Sequence, residues 1–249
     1  MSILRRPKYQ IEFFTSDWAV RTHYPIKPSK ECLPDHWKKM PSTVNGQDSV
    51  RKCPGIHDWL LTGYIIPAWT DIVVHQSEDL GSNGTLSNGN IGAGSHPPYQ
   101  CLDLLVEKSH FTGTVKLPGT WSIKTAPGWS IMLVPLWYWH NHPWEALPGI
   151  IHSDNHHNEV NLNFVMKSKD PVVNIPAGTP LVQVIPFKRD SVQAVSRAKT
   201  DADIKRHGII LRMYNWTKNG ITKFYKQQTS YSLDKKDLDF NESLKYPLE

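Results

Sequence analysis

Short β-branched and aromatic runs, each cut off within a few residues by proline, glycine or asparagine, most constrain what this chain can fold into. Residues 9–13 alternate at period two and read as an opening strand. Further strands are expected at 64–66, 70–75, 110–116, 119–124, 129–139, 149–152, 159–166, 172–175 and 181–187. Many short strands at such spacing indicate an antiparallel sandwich or barrel. Short helices are expected at 34–40 and 54–61, the second with Pro54 in its first turn and Gly63 as its stop. The glycine- and asparagine-rich stretch 81–95 reads as a long hairpin loop inserted in the domain. From Ser191 onward, Val195, Ala198, Ile204, Ile209, Leu211 and Met213 recur at helical intervals. The expected organisation is a mainly β domain over 1–190, with short N-terminal helices, and a C-terminal helical appendage over 191–249 packed on it.

Composition narrows the class. With 249 residues, 39% hydrophobic and 20% charged, the chain has enough apolar surface for a sizeable core and is not a disordered segment. Its longest purely apolar runs, Ile131–Val134 and Ile209–Leu211, fall far short of the ~20 residues that cross a bilayer, so no membrane helix is expected. The N-terminus carries Arg5 and Arg6 where a secretory leader needs an apolar stretch, and the expected location is cytoplasmic. Cys32, Cys53 and Cys101 lack metal-knuckle or redox spacing and read as free thiols. The formal charge of +5 is uneven: residues 188–226 hold ten Lys or Arg against three Asp. That excess is either a docking surface for an anionic partner or a solvated helix face.

The chemically loaded segment is 135–160, which holds five of the twelve histidines and three carboxylates, Glu145, Asp154 and Glu159. Residues at i and i+2 on a strand face one side, so His140 with His142, and His152 with Asp154, can each present two ligands to one point. Imidazole with carboxylate suits Fe or Zn, and two histidines with one carboxylate form the open site that lets iron activate dioxygen. Solvent-exposed histidines in turns are the competing reading. His156 and Glu159 are the candidate proton-transfer groups. Trp137, Trp139 and Trp144 flank the histidines and can wall a pocket, stack on a flat substrate or pack a core.

Two stretches carry a family resemblance. Gly149-Ile-Ile-His-Ser-Asp154 with Asn158-Glu-Val160 resembles the substrate hairpin of the trimeric dUTPase and dCTP deaminase superfamily, with one extra residue. Ile175-Pro-Ala-Gly-Thr-Pro-Leu-Val-Gln-Val-Ile185 is similar to that family's later strand pair. The resemblance covers residues 127–187 and implies a β-clip-like antiparallel barrel, a homo-oligomer that would be a trimer, and a nucleotide ligand. The family's water-orienting Asp falls on His152, its base-stacking Tyr on Asn155, and its Pro-Arg-Ser-Gly motif near 135–138, where no arginine stands. These departures imply a nucleotide-binding protein with lost catalytic motifs. The pattern His152-x-Asp154 is also similar to that of 2-oxoglutarate-dependent iron oxygenases, with His207 and Arg212 as the later partners, although both lie in the stretch read as helix. In the phrases Lys52-Cys-Pro-Gly-Ile-His-Asp58, Gly63-Tyr-Ile-Ile-Pro67, Trp121-Ser-Ile-Lys-Thr-Ala-Pro-Gly-Trp129 and Gly178-Thr-Pro-Leu-Val-Gln-Val-Ile-Pro-Phe-Lys-Arg189 the chain resembles, over its whole length, proteins of marine phages and bacteria, a resemblance that implies an origin and no activity.

The leading expectation is a metal-dependent, non-haem enzyme acting on a small molecule in an aromatic-lined β pocket. His140, His142, His152 and Asp154 would be its ligands. The expectation from a different class is a non-enzymatic phage or host interaction protein that oligomerises through its strands.

Overall fold

The structure is a computed structural model, and it describes residues 10–77, 81–86, 94–96, 114–139, 142–156 and 158–205. In chain order the first elements are β1 (Ile11–Phe14), α1 (Trp18–His23), β2 (Lys27–Pro28), α2 (Asp35–Lys39), β3 (Thr43–Val44), β4 (Gln47–Asp48) and α3 (Pro54–Leu61). Next come β5 (Tyr64–Pro67), β6 (Ile72–Ser77), β7 (Gly81–Leu86), β8 (Gly94–His96), β9 (Thr114–Leu117) and β10 (Ser122–Thr125). The remaining strands are β11 (Trp129–Val134), β12 (Trp144–Ala146), β13 (Gly149–Ile151), β14 (Leu162–Met166), β15 (Val172–Ile175) and β16 (Pro180–Lys188). The chain divides into two compact units, one of Met1–Lys39 with Leu60–Ser191, the other of Met40–Trp59 with Val192–Glu249.

The first unit is mainly β and its ladders are antiparallel. A five-stranded sheet runs in the order β13-β11-β16-β5-β2, a four-stranded sheet β12-β14-β9-β8, a three-stranded sheet β15-β6-β7, and β1 pairs with β10. Their inner faces share one apolar cluster. Ile66, Ile131, Leu133, Val182 and Val184 come from the five-stranded sheet, Val115, Leu117, Trp144, Leu162 and Phe164 from the four-stranded sheet, and Ile72, Val74, Val173 and Ile175 from the third. Each such aliphatic side chain, taken out of water, contributes about 1.5–3 kcal/mol against the entropy of ordering the chain. Gln183 lies in the same strand as the core valines and is fully buried, with its Nε2 donating to the Thr62 carbonyl at 2.6 Å.

Local chemistry explains the helix ends. Asp17 caps α1, its carboxylate accepting from the Val20 N–H at 3.0 Å, while Val20 turns inward. Pro54 opens α3, as expected from its position, and Gly63 follows at φ +72. In the second unit β3 and β4 form a hairpin around Asn45 (φ 49) and Gly46 (φ 78), both left-handed, as a two-residue type I′ turn requires. That Asn-Gly pair is itself a hairpin signal in the sequence.

Several expectations are corrected. Among the described residues no sheet closes into a barrel. The glycine-rich stretch is not simply a loop: 81–86 is β7, paired with β6 from Ile72↔Leu86 to Ser77↔Gly81, and 94–96 is β8, paired with β9. β11 ends at Val134, short of the expected 139, because Pro135 lacks an N–H and the chain turns with the Trp137 N–H on the Pro135 carbonyl. Residues 191–200 are exposed and irregular where a helix was expected. Val192 and Val195 are 90% and 53% exposed. The appendage beyond residue 205, with His207 and Arg212, lies outside the described residues.

Gly119 shows how tightly the first unit is built. A Cβ at this position would sit 1.8 Å from the Val160 carbonyl oxygen, whereas one at Gly149 would meet nothing within 4 Å. Gly119→Ala is expected to cost about 3 kcal/mol, because backbone must move, and Gly149→Ala less than about 0.5 kcal/mol. Chemical denaturation of the two variants checks this; equal midpoints would contradict the packing.

Candidate functional site

The residues expected to form one centre are distributed to opposite ends of β11. At its C-terminal end the turn after Pro135 places Trp137 outward and Trp139 inward, with the Trp139 indole N–H donating to the Cys32 carbonyl at 3.2 Å. β12, on the four-stranded sheet, brings Trp144, and His142 just before it stacks on that indole with ring centroids 4.5 Å apart and planes at 25°. Lys167 follows β14, held by its own N–H on the Pro143 carbonyl at 2.7 Å, and its ammonium stands 3.6 Å from Glu145. Together with Leu136, Ala146 and Leu181 these residues line a pocket of about 190 Å³. Trp139 and Trp144 are buried in it, whereas Trp137 is 70% exposed at its mouth. The result is a tryptophan-walled pocket that also carries a carboxylate, an ammonium and an imidazole.

At the N-terminal end of β11 a polar clasp forms. Arg189, just past β16, engages Asp154 with both terminal nitrogens: Nη1 stands 2.8 Å from Oδ1, and Nη2 donates to Oδ2. The Gly128 N–H adds a bond to Oδ2 at 2.9 Å, and Arg189 Nη1 also reaches Ser130 Oγ at 2.8 Å. His152 Nδ1 lies 2.9 Å from Ser130 Oγ and 3.3 Å from Arg189 Nη1. Beneath this layer the buried hydroxyls of Thr125 and Ser153 meet at 2.7 Å. The Arg189 hydrogen bonds, aided by the Gly128 N–H and opposed by partial desolvation, hold the Asp154 carboxyl well below the usual carboxylate range.

These placements bear on each candidate. β13 ends at Ile151, and 152–156 is a turn in which the His156 N–H bonds the His152 carbonyl, so His152 and Asp154 are not on a strand and the i, i+2 argument does not apply to them. His142 lines the pocket with Pro135, while His152 bonds Ser130, five residues earlier on the same strand path and roughly 16 Å away. His140 lies outside the described residues. Asp154 has Arg189 on both oxygens, and among the described residues no three His, Cys, Asp or Glu side chains are grouped to hold a metal ion. His152 and Asp154 as placed do not fit an iron or zinc centre. His156 and Glu159 are both exposed and line neither the pocket nor the clasp, Glu159 forming a bridge with Ser122. Trp137, Trp139 and Trp144 do come together. Lys167, Arg189 and Ser130 were not anticipated, since only the sheet pairing brings them to their partners. Of the basic excess, Lys188, Arg189 and Arg197 pair with Asp190, Asp154 and Asp203, and residues 206–226 lie outside the described residues.

No protein-family model and no curated protein matches the chain. A solved structure that resembles it is a mutant of the dUTPase of Staphylococcus bacteriophage 80alpha, from a study of phage dUTPases controlling transfer of virulence genes. It is 8% identical, with 77% of this chain and 99% of that one covered, and a TM-score of 0.35. The likeness is a weak structural resemblance. Among the described residues no helix is long and apolar enough to cross a membrane.

The clasp generates a pH prediction. A carboxyl with a depressed folded pKa stabilises the fold above its unfolded value, about 3.9, and that contribution is lost as pH falls toward the folded value. Asp154→Asn is therefore expected to lower the melting temperature at pH 7, with the gap to the parent protein narrowing as pH drops below about 4. Thermal melts across pH check it; a gap that stays constant down to the lowest pH would contradict the role of the pair.

Proposed function

We propose that this chain is a small-molecule-binding protein whose ligand, a flat heteroaromatic ring with a polar edge, occupies the tryptophan pocket. The observation that carries the reading is Trp137, left 70% exposed at the mouth of a pocket that already buries Trp139 and Trp144. Leaving so large an apolar plate in water forgoes an amount of order 2 kcal/mol that a stacked ring would recover. The polar edge of that ring meets Glu145 and Lys167, which stand 3.6 Å apart. Proline on one side and paired strands on the other hold these groups before the ligand arrives, which lowers the entropic cost of binding. The proposal assigns binding and no catalytic step.

A panel of nucleosides and simple heteroaromatic compounds, titrated while following the Trp139 indole N–H by NMR, tests this. Ligands that shift that signal are expected to bind Trp137→Ala about tenfold more weakly, equivalent to ~1.4 kcal/mol, with its melting temperature unchanged. Affinity unaffected by Trp137→Ala, or no shift with any member of the panel, would overturn the reading.

A further inference from the structure

We propose that a second cavity, bounded by β5, the β15–β16 turn and the segment from His23 to Cys32, binds a small organic carboxylate. This cavity measures about 140 Å³ and is separate from the tryptophan pocket. Pro180 lines it, while the next residue, Leu181, lines the other. Along β5 the alternation is clear: Ile65 and Pro67 line the cavity, whereas Tyr64 and Ile66 face the apolar core.

One half of the cavity is apolar and rigid. Pro67 stands directly opposite Pro180 in the β5–β16 ladder, and neither has an N–H to contribute there. With Pro25 and Ile65 they form a wall whose backbone is fixed before any ligand binds. The turn behind it is pinned by the Gly178 N–H on the Ala68 carbonyl at 2.7 Å and the Ala68 N–H on the Thr179 carbonyl at 2.8 Å. Gly178 takes φ +82, where a side chain would be strained, beside the Tyr24 ring.

The other half is polar and carries positive charge. His23, Tyr24, Lys27 and Cys32 line it, and no Asp or Glu does. Among the described residues no carboxylate forms a salt bridge with Lys27, which leaves its ammonium free to meet an anion. Burial pushes the Cys32 thiol up, so at neutral pH it stays uncharged; the charge of Lys27 acts in the other direction, and Glu31 and Lys38 also bear on it with opposite sign. A carboxylate at Lys27, hydrogen-bonded by the imidazole or phenol and carrying a short apolar body against the prolines, satisfies both halves. Inorganic phosphate does not, since its hydrated oxygens would be forced against the proline wall without partners.

Cys32 reports on occupancy, and Cys53, an exposed free thiol in the other unit, is an internal control. Site-resolved alkylation followed by mass spectrometry, run with acetate, butyrate or benzoate at millimolar concentration, is expected to show Cys32 protected several-fold by at least one of them and Cys53 unaffected. Butanol and inorganic phosphate are expected to give no protection, and Lys27→Gln to abolish it while melting like the parent protein. Protection by none of the carboxylates, equal protection by butanol or phosphate, or protection that survives in Lys27→Gln would each overturn the assignment.

Discussion

From Trp129 to Val134, β11 is hydrogen-bonded to β16 on one side, Trp129 facing Lys188 and Val134 facing Gln183, and to β13 on the other. The tryptophan pocket and the clasp both hang on this internal strand. Its start carries Ser130 into the clasp and its end feeds Pro135 into the turn that displays Trp137. A strand paired on both edges has its backbone groups satisfied and its register specified by the buried face, where Ile131 and Leu133 enter the core. A slip by one residue would expose that face and part Ser130 from His152.

The clasp closes the structure at the point where three segments meet, the β10–β11 turn, the turn after β13 and the end of β16. A bidentate guanidinium–carboxylate pair suits such a place because it fixes distance and orientation at once. The Thr125–Ser153 hydroxyl pair beneath it keeps Ser153 fully buried without an unsatisfied oxygen. His152 is thereby held against Ser130 and Arg189 where the sequence pattern pointed to a metal ligand.

The strand content, the helix opened by Pro54 and the tryptophan cluster were legible because each rests on local signals: alternation, a proline at a first turn, aromatic density around a proline. The clustering of histidines was equally visible and misleading, since density along the chain does not fix direction in space. His142 and His152 are ten residues apart and end up beside different sheets, because the chain between them crosses from β12 to β13. The glycine-rich stretch beside β6 misled in the opposite sense. Gly84 pairs with Val74 and Asn83 with His75, so a composition that reads as loop is recruited into a sheet by a neighbour with strong strand preference.

By itself, the sequence determined that this chain is mainly β with few helices, that it has no long apolar helix, and that its tryptophans and histidines crowd into one segment. Those properties follow from short-range patterning and composition. Only the tertiary structure decided which of those residues act together. The β11–β16 pairing carries Arg189 to Asp154, the β12–β14 pairing carries Lys167 to Glu145, and the β5–β16 pairing sets Pro67 against Pro180. The physical reason is that a site is assembled from residues distant in sequence, and their distances are fixed by strand register and core packing, which no local pattern encodes.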